Sequence, residues 1–388
     1  MSNETSEPLR PTIRFDRNEL AGAFGDLGTD LPLVIGVALA ADLDATSVLV
    51  MFGMMQILTG LRYRMPMPVQ PLKAMAAIVI AQKIGGPVLY GAGLAIGVSM
   101  FILSITGLLD WLARITPKAV IRGIQLGLGL QLGMLALKDY VQSDGVPGYL
   151  LAGGAFVLAV VFLGNRRYPA ALLLVTLGFF YALAFNVQLS TIVQGVGFNL
   201  PLVHVPRWPD VLTGFVLLAL PQIPLSLGNS ILATRQVAED LFPARPLKIR
   251  QIGLTYSLMN LINPFFGGIP TCHGSGGMAG HYAFGARTAG SVIIEGSLYM
   301  IAGLFFGGVF DTTVHIFPLP ILGVILLFEA LALVLLVRDQ APSRHDFVVV
   351  VLVGLMAVGL PYGYLIGMIV GAVLAYMMKR QAVGLGGE

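Results

Sequence analysis

The chain has 388 residues, of which 56% are hydrophobic and only 11% charged, with a formal net charge of +3. Soluble domains carry about 25% charged residues, so a water-facing surface of this composition would be too apolar to stay dispersed, and lipid must cover much of it. The weak charge and scattered basic residues exclude a nucleic-acid partner, and a single cysteine, Cys272, excludes an intrachain disulfide.

A membrane helix needs roughly 20 mainly apolar residues. From the N-terminus, a polar cytoplasmic tail over 1–17 lacks an apolar run before a cleavage site, so the first span is expected to be its own insertion signal. Spans are then expected near 18–41, 45–62, 66–83, 86–113, 117–137, 148–164 and 168–186. A second set follows near 209–236, 250–266, 270–285, 288–309, 318–337, 345–359 and 360–379. The fold class is therefore an all-α polytopic membrane protein of about 14 spans. With both termini cytoplasmic, 19 of the 23 basic residues fall inside. Lys83, Lys138 and Arg207 fall outside, and Lys73 lies within a span. This asymmetry follows the positive-inside rule, and a miscounted span would scramble it downstream. The expected location is the cell inner membrane, with the lipid bilayer as partner.

Fourteen spans divide into seven plus seven, and an odd number per half inverts the second half, a recurrent transporter architecture. Each half has an interrupted third span. Span three opens Met65-Pro66-Met67-Pro68-Val69-Gln70-Pro71. Those prolines cannot be helix interior, so an extended stub is expected, with helix starting at Pro71 and Gln70 as its N-cap. Span ten opens Gly267-Gly268-Ile269-Pro270-Thr271-Cys272-His273 and continues through Gly274, Ser275, Gly276 and Gly277, again a stub before a half-helix. The spans run in opposite directions, so both half-helices should point their N-termini at one midplane cavity. Each N-terminus offers unpaired N–H groups and about half a positive charge, which makes an anion site. Glycines 274, 276 and 277 let a ligand approach the backbone.

Three stretches carry a family resemblance: Gly25-Asp26-Leu27-Gly28-Thr29-Asp30-Leu31-Pro32, Pro66 to Ala74, and Pro270 to Tyr282 with Phe284-Gly285. On these the chain resembles the molybdate transporter family, related to the sulfate permease superfamily. His281 and Asp30 depart from the family's usual glutamine and uncharged residue. The resemblance implies uptake of a tetrahedral oxyanion, molybdate first and sulfate as the alternative. It implies a core domain, 18–115 (spans 1–4) and 209–311 (spans 8–11), moving against a gate domain, 116–208 (spans 5–7) and 312–388 (spans 12–14 and a short tail). It also implies a homodimer, and no C-terminal regulatory domain is expected.

The substrate-binding candidates are Gln70, Pro71, Leu72 and Lys73 at the first half-helix, and Thr271, His273, Gly274, Ser275, Gly276 and Gly277 at the second. Gln222 and Asn229 join them from span eight, where Gln222, Ser226 and Asn229 form a polar stripe on one helical face. Gln70 and Ser275 read equally as helix caps, His273 as a buried histidine satisfied by a carbonyl, and Cys272 as a packing residue. Asp26 and Asp30 share a helix face at i, i+4 spacing. With Glu295 and Glu329 they are candidates for proton coupling, and Asp26 is equally a structural ion-pair partner for Lys73. No cofactor, metal site or enzymatic role is expected. His273-Gly274-Ser275 fails the G-x-S-x-G pattern of a hydrolase, and no H-E-x-x-H metal motif occurs. A nucleobase or carboxylate permease of the same fold would want a carboxylate beside the site in span eight, where neutral amides and a hydroxyl stand. A passive anion channel is the alternative from another class.

Overall fold

A computed structural model describes residues 12–109, 111, 117–163, 170–182, 195–315 and 317–384. Arg114, Arg166, Arg167 and the distal end of the expected seventh span lie outside the described residues, as does the Glu329 side chain. The described chain is mostly helical, and six of its helices are long and apolar enough to cross a membrane.

The expected first span is two helices. α1 (Arg17–Ala23) and α2 (Leu27–Ala41) are separated by a break at Phe24–Asp26. The break has a packing cause: Gly25 lies backbone-to-backbone against Gly280, and a Cβ on either would come within 2.6 Å of the other's carbonyl group. α3 (Ala45–Tyr63) follows, then the proline stub, which forms a two-residue strand β1 (Gln70–Pro71). Helix begins at Lys73 rather than Pro71, as α4 (Lys73–Gln82) with Leu72 at its N-cap. Gln70 is therefore a strand residue, not the cap. α5 (Gly86–Thr106) closes this quarter of the chain. α6 (Lys118–Leu135), α7 (Gly145–Val161) and α8 (Ala170–Tyr181) come next.

α9 (Trp208–Leu241) is one long helix with wide π-type turns at Phe215–Ala219 and Ser226–Leu232, flanking Pro221 and Pro224. Those prolines lack an N–H and crowd the preceding turn, so the ladder loosens around them. α10 (Ile249–Ile262) leads through a tight turn, Asn263–Phe266, to the second stub, β2 (Thr271–Cys272), and then α11 (Ser275–Ala283). α12 (Gly290–His315), α13 (Leu319–Leu335), α14 (Arg344–Gly359) and α15 (Gly363–Gly384) complete the order.

The two stubs pair with each other, antiparallel, with Gln70 opposite Cys272 and Pro71 opposite Thr271. The Leu72 N–H extends the pairing to the Pro270 carbonyl at 3.1 Å. Because the strands are antiparallel, α4 and α11 leave them in opposite directions with their N-termini side by side. A two-residue strand inside a membrane protein leaves backbone groups without partners, and each must be satisfied. One amide side chain does this for each stub. Gln56 of α3 accepts from the Val69 N–H at 2.9 Å and donates to the Val69 carbonyl at 3.2 Å. Asn260 of α10 accepts from the Thr271 N–H at 2.9 Å and donates to the Thr271 carbonyl at 2.6 Å. Each amide stands in for a missing strand.

Candidate functional site: the paired half-helix cavity

A cavity of ≈ 220 Å³ opens where the two half-helices meet. Gln70, Lys73 and Ala74 line it from the first stub and α4; Cys272, Gly274, Ser275 and Gly276 line it from the second stub and α11. α9 contributes Gln222, Leu225, Asn229 and Ser230. The opposite wall is Gln125 and Leu128 of α6 with Leu333 and Leu336 at the end of α13. The cavity thus has a polar wall of helix ends and amides facing a wall that is apolar apart from Gln125.

The two helix ends differ in what they leave free. Gln222 Oε1 accepts from the Ala74 N–H at 2.9 Å and from the Met75 N–H at 3.1 Å, so a side chain from α9 already caps α4. Its amide nitrogen donates to Ser226 Oγ at 3.0 Å, and that hydroxyl meets the Tyr256 hydroxyl at 2.8 Å. Gln222 is held at both ends. α11, by contrast, has Gly274 at its N-cap with no side-chain cap. A Cβ on Gly276 would meet nothing within 4 Å, so the backbone there faces open space. The uncapped N–H groups of Ser275 and Gly276, the Ser275 hydroxyl and the Lys73 ammonium are hydrogen-bond donors lining this one cavity. Among the described residues Lys73 makes no ion pair.

The expected Asp26–Lys73 ion pair is not formed. The Asp26 carboxylate instead takes both its hydrogen bonds from Gln70 Nε2, at 2.7 and 2.8 Å. A carboxylate can only accept, so it fixes the Gln70 amide with nitrogen toward Asp26 and oxygen toward Gly274. A Cβ on Gly274 would overlap that oxygen, and one on Gly277 would overlap the Asp26 carboxylate. Two of the three candidate glycines are thus demanded by packing, and of the three only Gly276 has room for a Cβ. Asp26 and Asp30 are both buried. Neither Asp30 oxygen has a hydrogen-bond partner.

Pro71, Leu72, Thr271, His273 and Gly277 are not among the cavity's lining residues. His273 is wholly buried behind the second stub, with Nδ1 3.1 Å from the Pro68 carbonyl and Nε2 2.7 Å from Thr255 Oγ1. The carbonyl can only accept, so Nδ1 carries the hydrogen, and His273 ties one stub to the other half of the chain. Glu295 of α12 is buried beyond α11, where His281 Nε2 approaches it to 3.3 Å and Gln56 Nε2 to 3.2 Å. Four lining polar or sulfur groups stood outside the sequence candidates: Gln125, Ser230, Cys272 and the Ala74 backbone. A glutamine within an apolar fifth span was the available signal for Gln125.

A family model described as "Molybdate transporter of MFS superfamily" matches residues 18–132 and 214–333. "Molybdate transporter 1" of Arabidopsis thaliana is 33% identical over 94% of this chain and 89% of its own length. "Molybdate transporter 2" of the same plant is also 33% identical, over 94% and 88%. "Molybdate transporter 1" of Chlamydomonas reinhardtii is 28% identical over 96% and 94%. Among solved structures, the transmembrane domain of the cyanobacterial bicarbonate transporter BicA aligns with a TM-score of 0.67 at 15% identity, covering 94% of this chain and 98% of that one. The murine anion transporter Slc26a9, in its inward-facing state, aligns at 0.71 with 14% identity over 96% and 70%. At such identity these two speak for the fold alone, which this chain shares with them. On the family match and the length of the shared sequence, the chain belongs to the molybdate transporter family and is a multi-pass membrane transporter, not an enzyme.

Proposed function

We propose that the protein takes up molybdate by alternating access, binding the oxyanion in the cavity between the two half-helix N-termini. The observation that carries this is the uncapped end of α11 and Lys73 lining one ≈ 220 Å³ cavity. A tetrahedral dianion there would accept from the Ser275 and Gly276 N–H groups, the Ser275 hydroxyl and the Lys73 ammonium. Hydrogen bonds to a charged group contribute about 1.5–3 kcal/mol each, so a few of them offset much of the anion's desolvation. The relatives' names supply molybdate as the cargo.

The 7+7 inverted repeat is supported by equivalent contacts in the two halves. Val69 and Thr271, each one residue before a pairing position or at it, are clamped by an amide from the preceding helix. α3 packs on α12 and α5 on α10, the same relation with the halves exchanged. The cavity walls divide in the same way. Residues of 18–115 and 209–311 form the polar wall as the core, and residues of 116–208 and 312–388 form the facing wall as the gate. A second cavity of ≈ 280 Å³, lined by Gln82, Gln131 and Tyr364, lies at the other end of α4. Movement of the core against the gate would connect the site to one cavity and then the other. The distribution of basic residues supports cytoplasmic termini. For coupling, Asp26, Asp30, His281 and Glu295 are buried, and Asp26 holds the Gln70 amide that lines the cavity, which would link a proton on Asp26 to anion occupancy.

The test is uptake of labelled molybdate into proteoliposomes, with excess sulfate as competitor and with or without an inward proton gradient. The reading expects saturable uptake that resists sulfate and rises with the gradient. Ser275→Ala and Lys73→Met should each lower it about tenfold or more in correctly inserted protein, one charged hydrogen bond's worth. Wild-type protein that moves no molybdate, or variants that move it at the wild-type rate, would refute it.

A further inference from the structure

The facing wall of the cavity holds one polar side chain whose hydrogen bonds are half filled. Gln125 of α6 is wholly buried and lines the cavity. Its Oε1 accepts from Arg122 Nη1 at 2.8 Å. A guanidinium can only donate, so this bond fixes which end of the amide is oxygen. The nitrogen is left on the other side, and among the described residues Gln125 Nε2 has no hydrogen-bond partner. Such a buried, unpaired donor is unfavourable unless something fills it.

The arginine that sets this orientation is itself held. Arg122 Nε donates to Asp339 at 3.1 Å, and Nη2 meets the same carboxylate at 2.6 Å. Lys118 reaches that carboxylate at 2.7 Å. The chain Asp339, Arg122, Gln125 therefore joins the end of α13 to the first turns of α6 and presents one amide N–H₂ opposite Lys73, Ser275 and Gly276. Nothing else on that wall can hydrogen-bond an anion, since Leu128, Leu333 and Leu336 complete it.

We propose that Gln125 is the gate-side ligand of the transported oxyanion: its Nε2 donates to an anion held on the opposite wall by α11 and Lys73, while Arg122 and Asp339 act as positioning residues. This rests on the oxyanion reading above. It adds a mechanical consequence, because a ligand on the facing wall lets the bound anion bridge the two walls and favour the closed cavity.

The experiment is equilibrium binding of molybdate to purified protein in nanodiscs, run on wild type, Gln125→Leu and Gln125→Glu. Gln125→Glu keeps an acceptor for Arg122 but replaces the donor with a negative charge. A ligand role predicts that Gln125→Leu raises Kd about tenfold or more, and that Gln125→Glu raises it further despite an intact Arg122 contact. A role limited to bracing Arg122 predicts the reverse order, with Gln125→Glu near wild type, and that result would overturn the proposal. Equal wild-type affinity in both variants would overturn it too. Failure of the wild type itself to bind molybdate would instead remove the oxyanion reading on which it stands. Monodispersity and melting temperature of each variant separate lost binding from lost folding.

Discussion

Replacing Gln222 with methionine separates a capping residue from a substrate ligand. Gln222 Oε1 satisfies two N–H groups of the first turn of α4, at 2.9 and 3.1 Å, from a fully packed position. Methionine keeps the length and unbranched shape but accepts nothing of consequence. The loss has two parts. Removing an N-cap costs about 0.5–2 kcal/mol, and a buried donor left unpaired costs about 1–3 kcal/mol. The Ala74 side of α4 borders the cavity, so water can reach one of the two N–H groups, and a net destabilisation of about 2–4 kcal/mol is expected. Binding should move the other way. The freed Ala74 N–H borders the cavity, where a bound oxyanion can take the place of the lost cap. The assay is thermal melting of purified protein without and with saturating molybdate, since ligand stabilisation follows RT ln(1 + [L]/Kd). Gln222→Met should melt earlier when empty and show a ligand-induced shift at least as large as that of wild type. An unchanged melting temperature with a diminished shift would make Gln222 a ligand and refute the capping argument.

The glycines of the second stub give a paired test: Gly274→Ala drives a Cβ into the Gln70 amide and should destabilise by more than about 1–3 kcal/mol, the range for overpacking, visible as poor recovery of monodisperse protein. Gly276→Ala meets nothing within 4 Å, so it should fold normally yet lower molybdate affinity, because its methyl group enters the cavity. Asn260→Leu unpairs the N–H and carbonyl of buried Thr271, and a loss of about 2–4 kcal/mol should appear in the melting temperature while Gln82→Leu, at the far end of α4, leaves it unchanged. Glu295→Gln removes the carboxylate that His281 and Gln56 approach; gradient-driven uptake should fall to the level seen without a gradient, and undiminished stimulation would remove Glu295 from the coupling group.

The two extended stubs were legible in the sequence because proline and glycine act locally: three prolines within six residues, Pro66, Pro68 and Pro71, disfavour helix interior whatever packs around them. Their consequence, two stubs that pair with each other, was not, because Gln70 opposite Cys272 is a contact across 202 positions that no local preference encodes. The same distinction explains the site residues. Lys73, Ser275 and Gly276 follow from knowing where a helix starts. Gln222 lies on the polar stripe and borders the cavity, yet whether its oxygen faces a ligand or the N–H of Ala74 depends on how α9 packs against α4. The break at Phe24–Asp26 was read as continuous helix, since nothing in the local sequence shows Gly280 lying against Gly25. The Asp26–Lys73 pair failed for a similar reason. Opposite charges near in span order attract only if packing brings them together, and here the Gln70 amide stands at the carboxylate instead.

The unequal ends of the two half-helices bear on how such a site can release what it binds. A dianion facing two open N-termini and the Lys73 ammonium would gather about six charged hydrogen bonds, each about 1.5–3 kcal/mol, and would leave too slowly for transport. A transport site must be favourable enough to enter and weak enough to leave. Capping α4 with Gln222 from within the protein withdraws two of those donors and gives their partial charge to a fixed dipole. α11 keeps its donors, so an anion bound as proposed would be held from one side, where Gly276 leaves open space against the backbone. Placing the remaining donor, Gln125, on the opposite wall makes part of the binding energy conditional on the two walls being close. Separation of the walls then weakens the site by the strength of that bond at the moment when the anion must depart, and tightens it again when the cavity closes around the next one.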